Sequence, residues 1–219
     1  MSSGFSGSPA LVRGGLVVID PSSGAVRRVI TLQYNPDSVS RTLHAQSPGE
    51  GGERSEALRL RGPAVETFKL DAELDAADQL EFPDQNPDTV LLGLFPQLAA
   101  LETLVYPTVA TLVSNDAAAS AGTIEIIPSE APLTLFVWSA QRVVPVRLTE
   151  LTITEEAFDP ALNPIRAKVS LSLRVLSVDD VGFTERAGTL FLSYLQRKEQ
   201  LAAKATAGTL SALGIGGIG

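Results

Sequence analysis

The sequence predicts a mostly β protein, an antiparallel β-barrel or sandwich with one internal helix and one C-terminal helix. Apolar and polar residues alternate over much of positions 11–180, and a period of two is the pattern of strands with one buried face. The connections between the alternating segments are mostly short, which is typical of antiparallel sheets. A chain of 219 residues can form one all-β domain of this kind and bury its own core without disulfides or metals.

The clearest strands lie at residues 67–75 and 166–175. In the first, apolar residues occupy every second position and alternate with lysine, threonine and carboxylates, so one face packs on a core and the other meets water or a partner. The second repeats this pattern with serine, lysine and arginine on the polar face. Weaker alternation predicts strands at residues 15–19, 26–34, 39–45, 58–61, 123–127, 133–139 and 143–153.

The last of these weaker strands contains a change of phase. Val144, Val146 and Leu148 share one phase of the alternation, whereas Leu151 and Ile153 share the other. Because an extra residue in one strand shifts the side chains that follow to the opposite face, the sequence predicts a β-bulge or a strong bend between the two groups.

Two segments have helical periodicity instead. In the internal segment, leucines and a valine recur at three- and four-residue steps over residues 91–105, with Asp88 as a possible cap and Pro107 as a stop. Pro96 either kinks this helix or marks its true first turn. The second helix is predicted at about 184–205, and its apolar stripe consists of Ala187, Leu190, Phe191, Tyr194, Leu195 and Leu201.

These patterns give an expected domain organisation. We expect a flexible N-terminus at residues 1–14, a barrel domain at 15–180, a C-terminal helix at 181–206 and a disordered glycine-rich tail at 207–219. Residues 47–55 and 115–122 are expected to be loops within the barrel domain, because glycine, serine and alanine dominate them.

Composition excludes several classes of function. The chain has no cysteine and one histidine, so a thiol nucleophile, a zinc finger, an iron–sulfur cluster or a multi-histidine metal site is not available to it. It carries 17 lysines and arginines against 25 aspartates and glutamates, and this net charge of −8 argues against a nucleic-acid partner. With no secretory signal and no long apolar window, the sequence predicts a cytoplasmic protein without direct membrane insertion.

The candidate catalytic and metal-binding groups have simpler interpretations. His44 would have to carry any serine–histidine–aspartate arrangement, but no nucleophile motif accompanies it. Glu155 and Glu156 are adjacent acids at a strand end, where solvated carboxylates are common. The Asp84-Gln85-Asn86-Pro87-Asp88 run resembles the start of a calcium loop, but no helix precedes it. We therefore expect no enzyme activity, no cofactor and no metal.

Several turn segments combine proline with asparagine or aspartate and an aromatic residue. Tyr34-Asn35-Pro36 ends one predicted strand, and Phe158-Asp159-Pro160 with Asn163-Pro164 precedes the last one. The residue before a proline is pushed towards extended geometry, and asparagine or aspartate side chains cap turns. Each segment by itself predicts only a well-formed turn.

Taken together and in this order, these segments resemble the tube-domain family of contractile injection systems, which are phage-tail-like particles that drive a rigid inner tube through a target membrane. The matching segments are LQYNPDSVSR at 32–41, FKLDAEL at 68–74, LAALETL with Tyr-Pro at 98–107, PLTLFVW at 132–138, and FDP with NPIRAKV at 158–169. The resemblance marks as candidate assembly residues Tyr34, Asn35, Pro36, Arg41, Trp138, Phe158, Pro164 and Arg166.

The chain departs from the family pattern in two respects. Ser139 and Asn163 stand where the family often has glycine, and asparagine tolerates the left-handed backbone that such a glycine would adopt. Many family members continue into a LysM-type module, whereas here a helix and a glycine-rich tail follow Asp180. The function of that module is therefore not transferred to this chain.

The resemblance implies a barrel of the phage tail-tube type and a structural role. The expected assembly is a homo-oligomer, a hexameric ring in the baseplate that joins the central spike protein to the inner-tube protein and initiates the tube. Two alternatives remain open. The chain could be the repeating inner-tube subunit itself, or a carbohydrate- or peptide-binding β-sandwich that uses Trp138, Tyr34 and Tyr106 as stacking surfaces.

Overall fold

A computed structural model describes residues 12–47, 59–120, 122 and 131–218. Its strands form one seven-stranded sheet in the order β2-β1-β5-β6-β7-β4-β3, and all neighbouring strands are antiparallel. The mostly β, antiparallel fold class predicted from the alternation is therefore confirmed. The strands are β1 (Gly15–Ile19), β2 (Val26–Thr31), β3 (Val39–His44), β4 (Val65–Asp75), β5 (Leu133–Ser139), β6 (Arg142–Phe158) and β7 (Pro164–Val175).

The helices occupy one long connection and the region after β7. They are α1 (Ala77–Leu80), α2 (Pro87–Leu92), α3 (Phe95–Glu102), α4 (Val109–Ser120) and α5 (Arg186–Ala202), with 3-10 turns at Pro83–Gln85 and Leu210–Leu213. Among the helices of the described residues, none is both long enough and apolar enough to cross a bilayer.

The sheet curves strongly because its two edge strands, β2 and β3, are consecutive in the chain. A flat sheet of seven strands would place its edges roughly 29 Å apart. Residues 32–38 join the two edges and contain three bends, so they span less than the roughly 25 Å that seven extended residues could reach. This linker also closes over the core, because Leu32 is buried and its amide donates to the Gly14 carbonyl at 2.9 Å.

The core lies on the concave side of the sheet. Residues from both halves of the curve meet there, including Leu16 of β1, Phe68 of β4, Phe136 of β5 and Val169 of β7. Phe68 and Phe136 pack with their ring centroids 5.2 Å apart. Helix α3 covers an open side of this core, since its leucines at 98 and 101 are buried in the same cluster.

The predicted irregularity in the strand at 143–153 is confirmed as a bulge in β6. The pairing of β6 with β7 shifts between Leu148 and Glu150, which leaves Thr149 as the extra residue. After the bulge, Leu151 and Ile153 pack against the core cluster despite their different phase in the sequence.

The prediction of one internal helix over 91–105 is wrong, because the chain folds into α2 and α3 with a turn between them. Gly93 has φ 57°, and a Cβ there would meet the Pro164 carbonyl oxygen at 2.4 Å, so the chain turns closely against the start of β7. Helix α3 begins at Phe95 with Pro96 in its first turn, as one of the two interpretations of that proline expected. The N-cap of α2 is Asn86, not Asp88.

Three further boundaries differ from the predictions. The loop expected at 115–122 is wrong, because α4 continues to Ser120, and alanine is the strongest helix former. Residues 59–61 of the strand expected at 58–61 are not in a strand, and β2 ends at Thr31, not at residue 34. The strand expected at 123–127, residues 1–11 of the flexible N-terminus expected at 1–14, and residues 48–55 of the glycine-rich loop lie outside the described residues.

Helix α5 follows the prediction of an amphipathic helix near 184–205. Its buried residues are Ala187, Gly188, Phe191 and Tyr194. Ala187 packs with residues of β1 and β5, whereas Phe191 and Tyr194 join the main core. Beyond α5, the side chains of residues 203–218 are exposed.

Candidate functional site

A continuous polar face covers four neighbouring strands, β3, β4, β7 and β6, on the side away from the core. Directly paired residues of antiparallel strands share a face, so the register of the sheet defines its members. They are Ser40, Thr42, Thr67, Lys69, Asp71, Glu73, Asp75, Arg166, Lys168, Ser170, Ser172, Arg174, Arg147, Glu150, Thr152, Thr154 and Glu156. We call this surface the polar face.

Charges on the polar face are paired with one another. Arg166 Nη2 lies 2.9 Å from Asp75 Oδ2, and Lys168 Nζ lies 2.8 Å from Glu156 Oε1. The Ala77 amide and then the Arg166 guanidinium hold the pKa of Asp75 below its ordinary value, although partial burial opposes the shift. Glu156 in turn raises the pKa of Lys168. Asp75 and Lys168 therefore keep their charges across the neutral range.

The pairing continues towards the other end of β7. Ser170 Oγ donates to Asp71 Oδ1, and Arg174 Nη2 donates to Asp180 Oδ1 at 2.7 Å. Five cations of the polar face, at positions 69, 147, 166, 168 and 174, stand against five acids at 71, 73, 75, 150 and 156. This surface is therefore close to neutral, although the whole chain carries −8.

Both edges of this four-stranded region are open within the described part of the chain. On one side, β3 pairs with β4 alone. On the other side, β5 pairs with β6 only as far as Val146, so the half of β6 from Leu148 to Phe158 pairs with β7 alone. Unpaired edges present backbone donors and acceptors that can pair with another chain.

The first group of predicted assembly residues lies in the linker between β2 and β3. Asn35 ties the linker to the segment before β1, because its side chain accepts from the Gly14 amide and donates to the Val12 carbonyl, each at 2.9 Å. Tyr34 donates to Asp78 at 3.0 Å, and Pro36 follows directly. Next to them, Gln33 makes two hydrogen bonds with the backbone of Asp75, at 2.7 and 2.9 Å.

Arg41 and Trp138 lie in different parts of the sheet. Arg41, on β3, has its Nε atom 3.6 Å from a carboxylate oxygen of Glu66. Trp138, on β5, packs 6.0 Å from Phe136, and a Cβ at Gly14 would meet its ring at 2.6 Å, so the backbone before β1 passes directly over the indole. Arg41 and Trp138 therefore both make side-chain contacts within the subunit.

The remaining predicted residues lie at the turn between β6 and β7 or directly after it. Phe158 is half exposed, Pro164 is fully buried, and Arg166 pairs with Asp75 on the polar face. Asn163 donates its side-chain amide to the Leu91 carbonyl at 3.1 Å and so joins this turn to α2.

The two positions that depart from the family pattern are accommodated differently from each other. The Ser139 hydroxyl accepts from the Gln141 amide at 3.2 Å, so this side chain supports the turn between β5 and β6. At the other turn the left-handed residue is Leu162, with φ 66°, and not Asn163. The structure brings Tyr34 and Arg166 to the same end of the polar face, next to the β6–β7 turn that contains Phe158, whereas Arg41 and Trp138 lie on β3 and β5.

Sequence reasoning missed the most buried charged group among the described residues, Glu66 of β4, which is 3% exposed. Tyr194 Oη donates to its Oε1 atom at 2.8 Å, and Lys198 Nζ lies 2.7 Å from its Oε2 atom. The signal was available, since Glu66 has the same phase as Phe68 and Leu70 in the alternation of β4.

The structure does not gather the aromatic residues of the alternative binding function. Trp138 is partly buried beside Phe136, Tyr34 lies on the linker, and Tyr106 is exposed after α3. One cavity formed by the described residues has a volume of about 1020 Å³, and none of its described lining residues is aromatic. His44, at the end of β3, is exposed.

Comparisons with known proteins give a weak structural likeness. No family model and no curated protein matches the chain. The solved structures that resemble it include the tail of an empty gene transfer agent (GTA) particle, computed with helical refinement and C6 symmetry, and the virion of a native GTA particle. Each is 10% identical and aligns over 74% of this chain and 90% of the other, with TM-scores of 0.29 and 0.27. TM-scores this low support no argument about this chain.

Proposed function

We propose that this chain is a structural subunit of a phage-tail-like contractile particle and assembles with copies of itself into a ring. The observation that carries the proposal is the four-stranded region β3-β4-β7-β6, which has a polar face, a core-facing side and two open edges. A protein with such edges must cover them or pair them. Pairing β6 of one copy with β3 of the next covers both edges with one repeated contact.

The strand count favours this contact. The region has an even number of strands, and its two edge strands run in opposite directions. Copies related by rotation about an axis parallel to the strands therefore meet as antiparallel partners, and every contact around the ring is equivalent. Six copies, the number implied by the resemblance, would close a barrel of 24 strands. Because barrels of 16–18 strands already leave an aqueous channel, this ring would enclose a wide one lined by the polar face.

Cysteine crosslinking tests the ring contact directly, because the native chain has no cysteine. A double variant with Ser40→Cys on β3 and Thr154→Cys on β6 should give a ladder of covalent oligomers, ending at the closed ring, when a short bis-maleimide is added. The matched control replaces the β3 cysteine with Val29→Cys on the other edge strand, β2, and should remain monomeric on a denaturing gel. A ladder in the control, or none in the test variant, would contradict the proposed contact.

We infer the position of the ring in the particle from the resemblance alone: between the central spike and the inner tube, where it would initiate the tube without chemistry of its own. Assembly would take place in the cytoplasm. The end with α2 and the β6–β7 turn offers an axial contact surface, with Leu91, Phe95, Phe158 and Leu162 exposed. Copy number in a purified particle separates this role from that of the repeating inner-tube subunit. A few copies fit the adaptor, and deletion of its gene should then abolish full-length particles.

A further inference from the structure

Glu66 is a buried carboxylate that two side chains of α5 hydrogen-bond and a third side chain, from β3, pairs with by charge. Tyr194 and Lys198 reach it from α5 at 2.8 and 2.7 Å, and Arg41 reaches it from β3 at 3.6 Å. Glu66 itself lies on β4, next to β3. One carboxylate therefore connects the C-terminal helix to the edge strand that the ring would use.

The contacts from α5 are of a kind that costs much to break. A buried carboxylate that loses a partner keeps its desolvation penalty, so truncation of one partner is strongly destabilising. Lys198 Nζ also lies 4.2 Å from the centroid of the Tyr194 ring, which adds a cation–π contact between the two groups. Burial and then the Glu66 hydrogen bond raise the pKa of Tyr194, so its hydroxyl keeps the proton that it donates.

Strand β3 has little else to hold its side chains. From Ser40 to His44 its residues are exposed, and only Val39 packs against the core. Apart from the backbone ladder to β4, the cluster around Glu66 is the contact that ties the middle of β3 to the interior of the molecule.

We propose that Glu66 is a positioning residue that couples the docking of α5 to the order of β3, so that α5 supports ring closure through the edge strand. The relevance to ring closure rests on the proposed function. The coupling itself is a property of one subunit and can be measured without assembly.

Hydrogen exchange on the full-length chain tests the coupling. The variant Tyr194→Phe with Lys198→Met removes both α5 contacts to Glu66 and preserves side-chain size. The matched control, Tyr106→Phe with Lys204→Met, makes the same chemical changes at exposed positions. We expect the β3 amides of the test variant to exchange at least about tenfold faster, as loss of one hydrogen bond to a charged group implies, while β7 amides and the whole control variant keep their protection.

Two outcomes would overturn the coupling. In the first, α5 loses protection and β3 keeps it, so that helix and edge are independent. In the second, β3, β4 and β7 lose protection together, so that the cluster supports the whole fold and not the edge. The single variant Lys198→Arg retains a cation at this position, so its β3 amides should keep protection within about threefold of the native chain.

Crosslinking between β3 and β6 then separates the two proposals. If the Ser40→Cys, Thr154→Cys chain forms no ladder, the ring is wrong and the exchange result still decides the coupling. If that cysteine chain forms a ladder and the same chain with Tyr194→Phe and Lys198→Met added forms an equal ladder, the ring stands and the role of Glu66 in closure is wrong.

Discussion

At the scale of single residues, one carboxylate orders the turn between β6 and β7. Asp159 Oδ1 accepts from the amides of Ala161 and Asn163, and its Oδ2 accepts from the Asn163 side chain, each at 2.8 Å. The Asn163 side chain is the largest cause that holds the pKa of Asp159 below its ordinary value. These bonds force Leu162 into left-handed backbone with its side chain 74% exposed.

Replacing Leu162 with glycine should therefore stabilise the subunit. A left-handed backbone conformation destabilises a residue such as leucine by roughly 1–2 kcal/mol. Glycine removes this strain, but its greater freedom in the unfolded chain offsets about 0.4–1 kcal/mol of the gain. The expected net gain in the free energy of unfolding is about 0.5–1 kcal/mol, measured by urea denaturation. Leu162→Ala keeps the Cβ and should show no gain. Equal stabilisation by both variants would mean that backbone strain is not the cause.

Asp180 makes the fold sensitive to acid. Burial would raise its pKa, but the Ser177 amide and the Arg174 guanidinium hold that pKa below the ordinary 3.8. A carboxyl with a lowered folded pKa contributes stability above its unfolded pKa, and the contribution is lost as the pH falls through the folded value. Asp180→Asn should thus be less stable than the native chain at pH 7.

The difference between these two chains should shrink steadily below about pH 4, where the native carboxyl takes up its proton. Thermal unfolding at pH 7, 5, 4 and 3 measures it. The control is Asp37→Asn at an exposed linker position, which should follow the native chain throughout. A gap between Asp180→Asn and the native chain that stays constant down to pH 3 would rule out this linkage.

At the scale of elements, two helices of similar apolar composition have different roles. Helix α3 buries Leu98 and Leu101, whereas α4 buries no residue. Leu98→Ala should lower the free energy of unfolding by about 2–5 kcal/mol, because it leaves a cavity in the core. The same truncation at Leu112 of α4, which is 53% exposed, should change it by less than about 0.5 kcal/mol. Comparable losses in both variants would show that α4 packs on the domain.

The strand pattern explains how much of the fold the sequence could predict. Where a strand has one buried face, as at residues 67–75 and 166–175, alternation alone locates the strand and its core face. The prediction of one helix over 91–105 was wrong because Gly93 approaches the Pro164 carbonyl closely, and sequence periodicity carries no information about such a tertiary contact. The prediction of a loop at 115–122 was wrong because small residues occur both in loops and in exposed helices.

Prediction of the candidate site was limited in the same way. The polar residues of two of its strands were visible as an outward face, but the open half of β6 follows from where β5 ends its pairing. Glu66 was missed because a charged residue at the start of an alternating segment is typical of an exposed strand end. Only the tertiary positions of Tyr194 and Lys198 explain its burial.

At the scale of the whole molecule, the proposed ring predicts cooperative assembly. The last contact that closes a ring forms within one complex, so closed rings gain a contact without a further loss of translational freedom. Sedimentation velocity over a range of concentrations should show mainly two species, the monomer and the ring. A chain with Thr152→Lys and Thr154→Lys should stay monomeric, since lysines on an edge strand oppose pairing. Comparable amounts of dimers, trimers and tetramers would contradict a closed ring.

The paired charges of the polar face have a consequence for anything that travels through such a ring. Arg166 with Asp75 and Lys168 with Glu156 satisfy each other within one subunit, so little net field extends from these groups into the opening. A moving polymer of either sign would find no continuous row of opposite charges to hold it. The wall of the channel would therefore bind neither positively nor negatively charged cargo strongly, and cargo of either sign could pass through it.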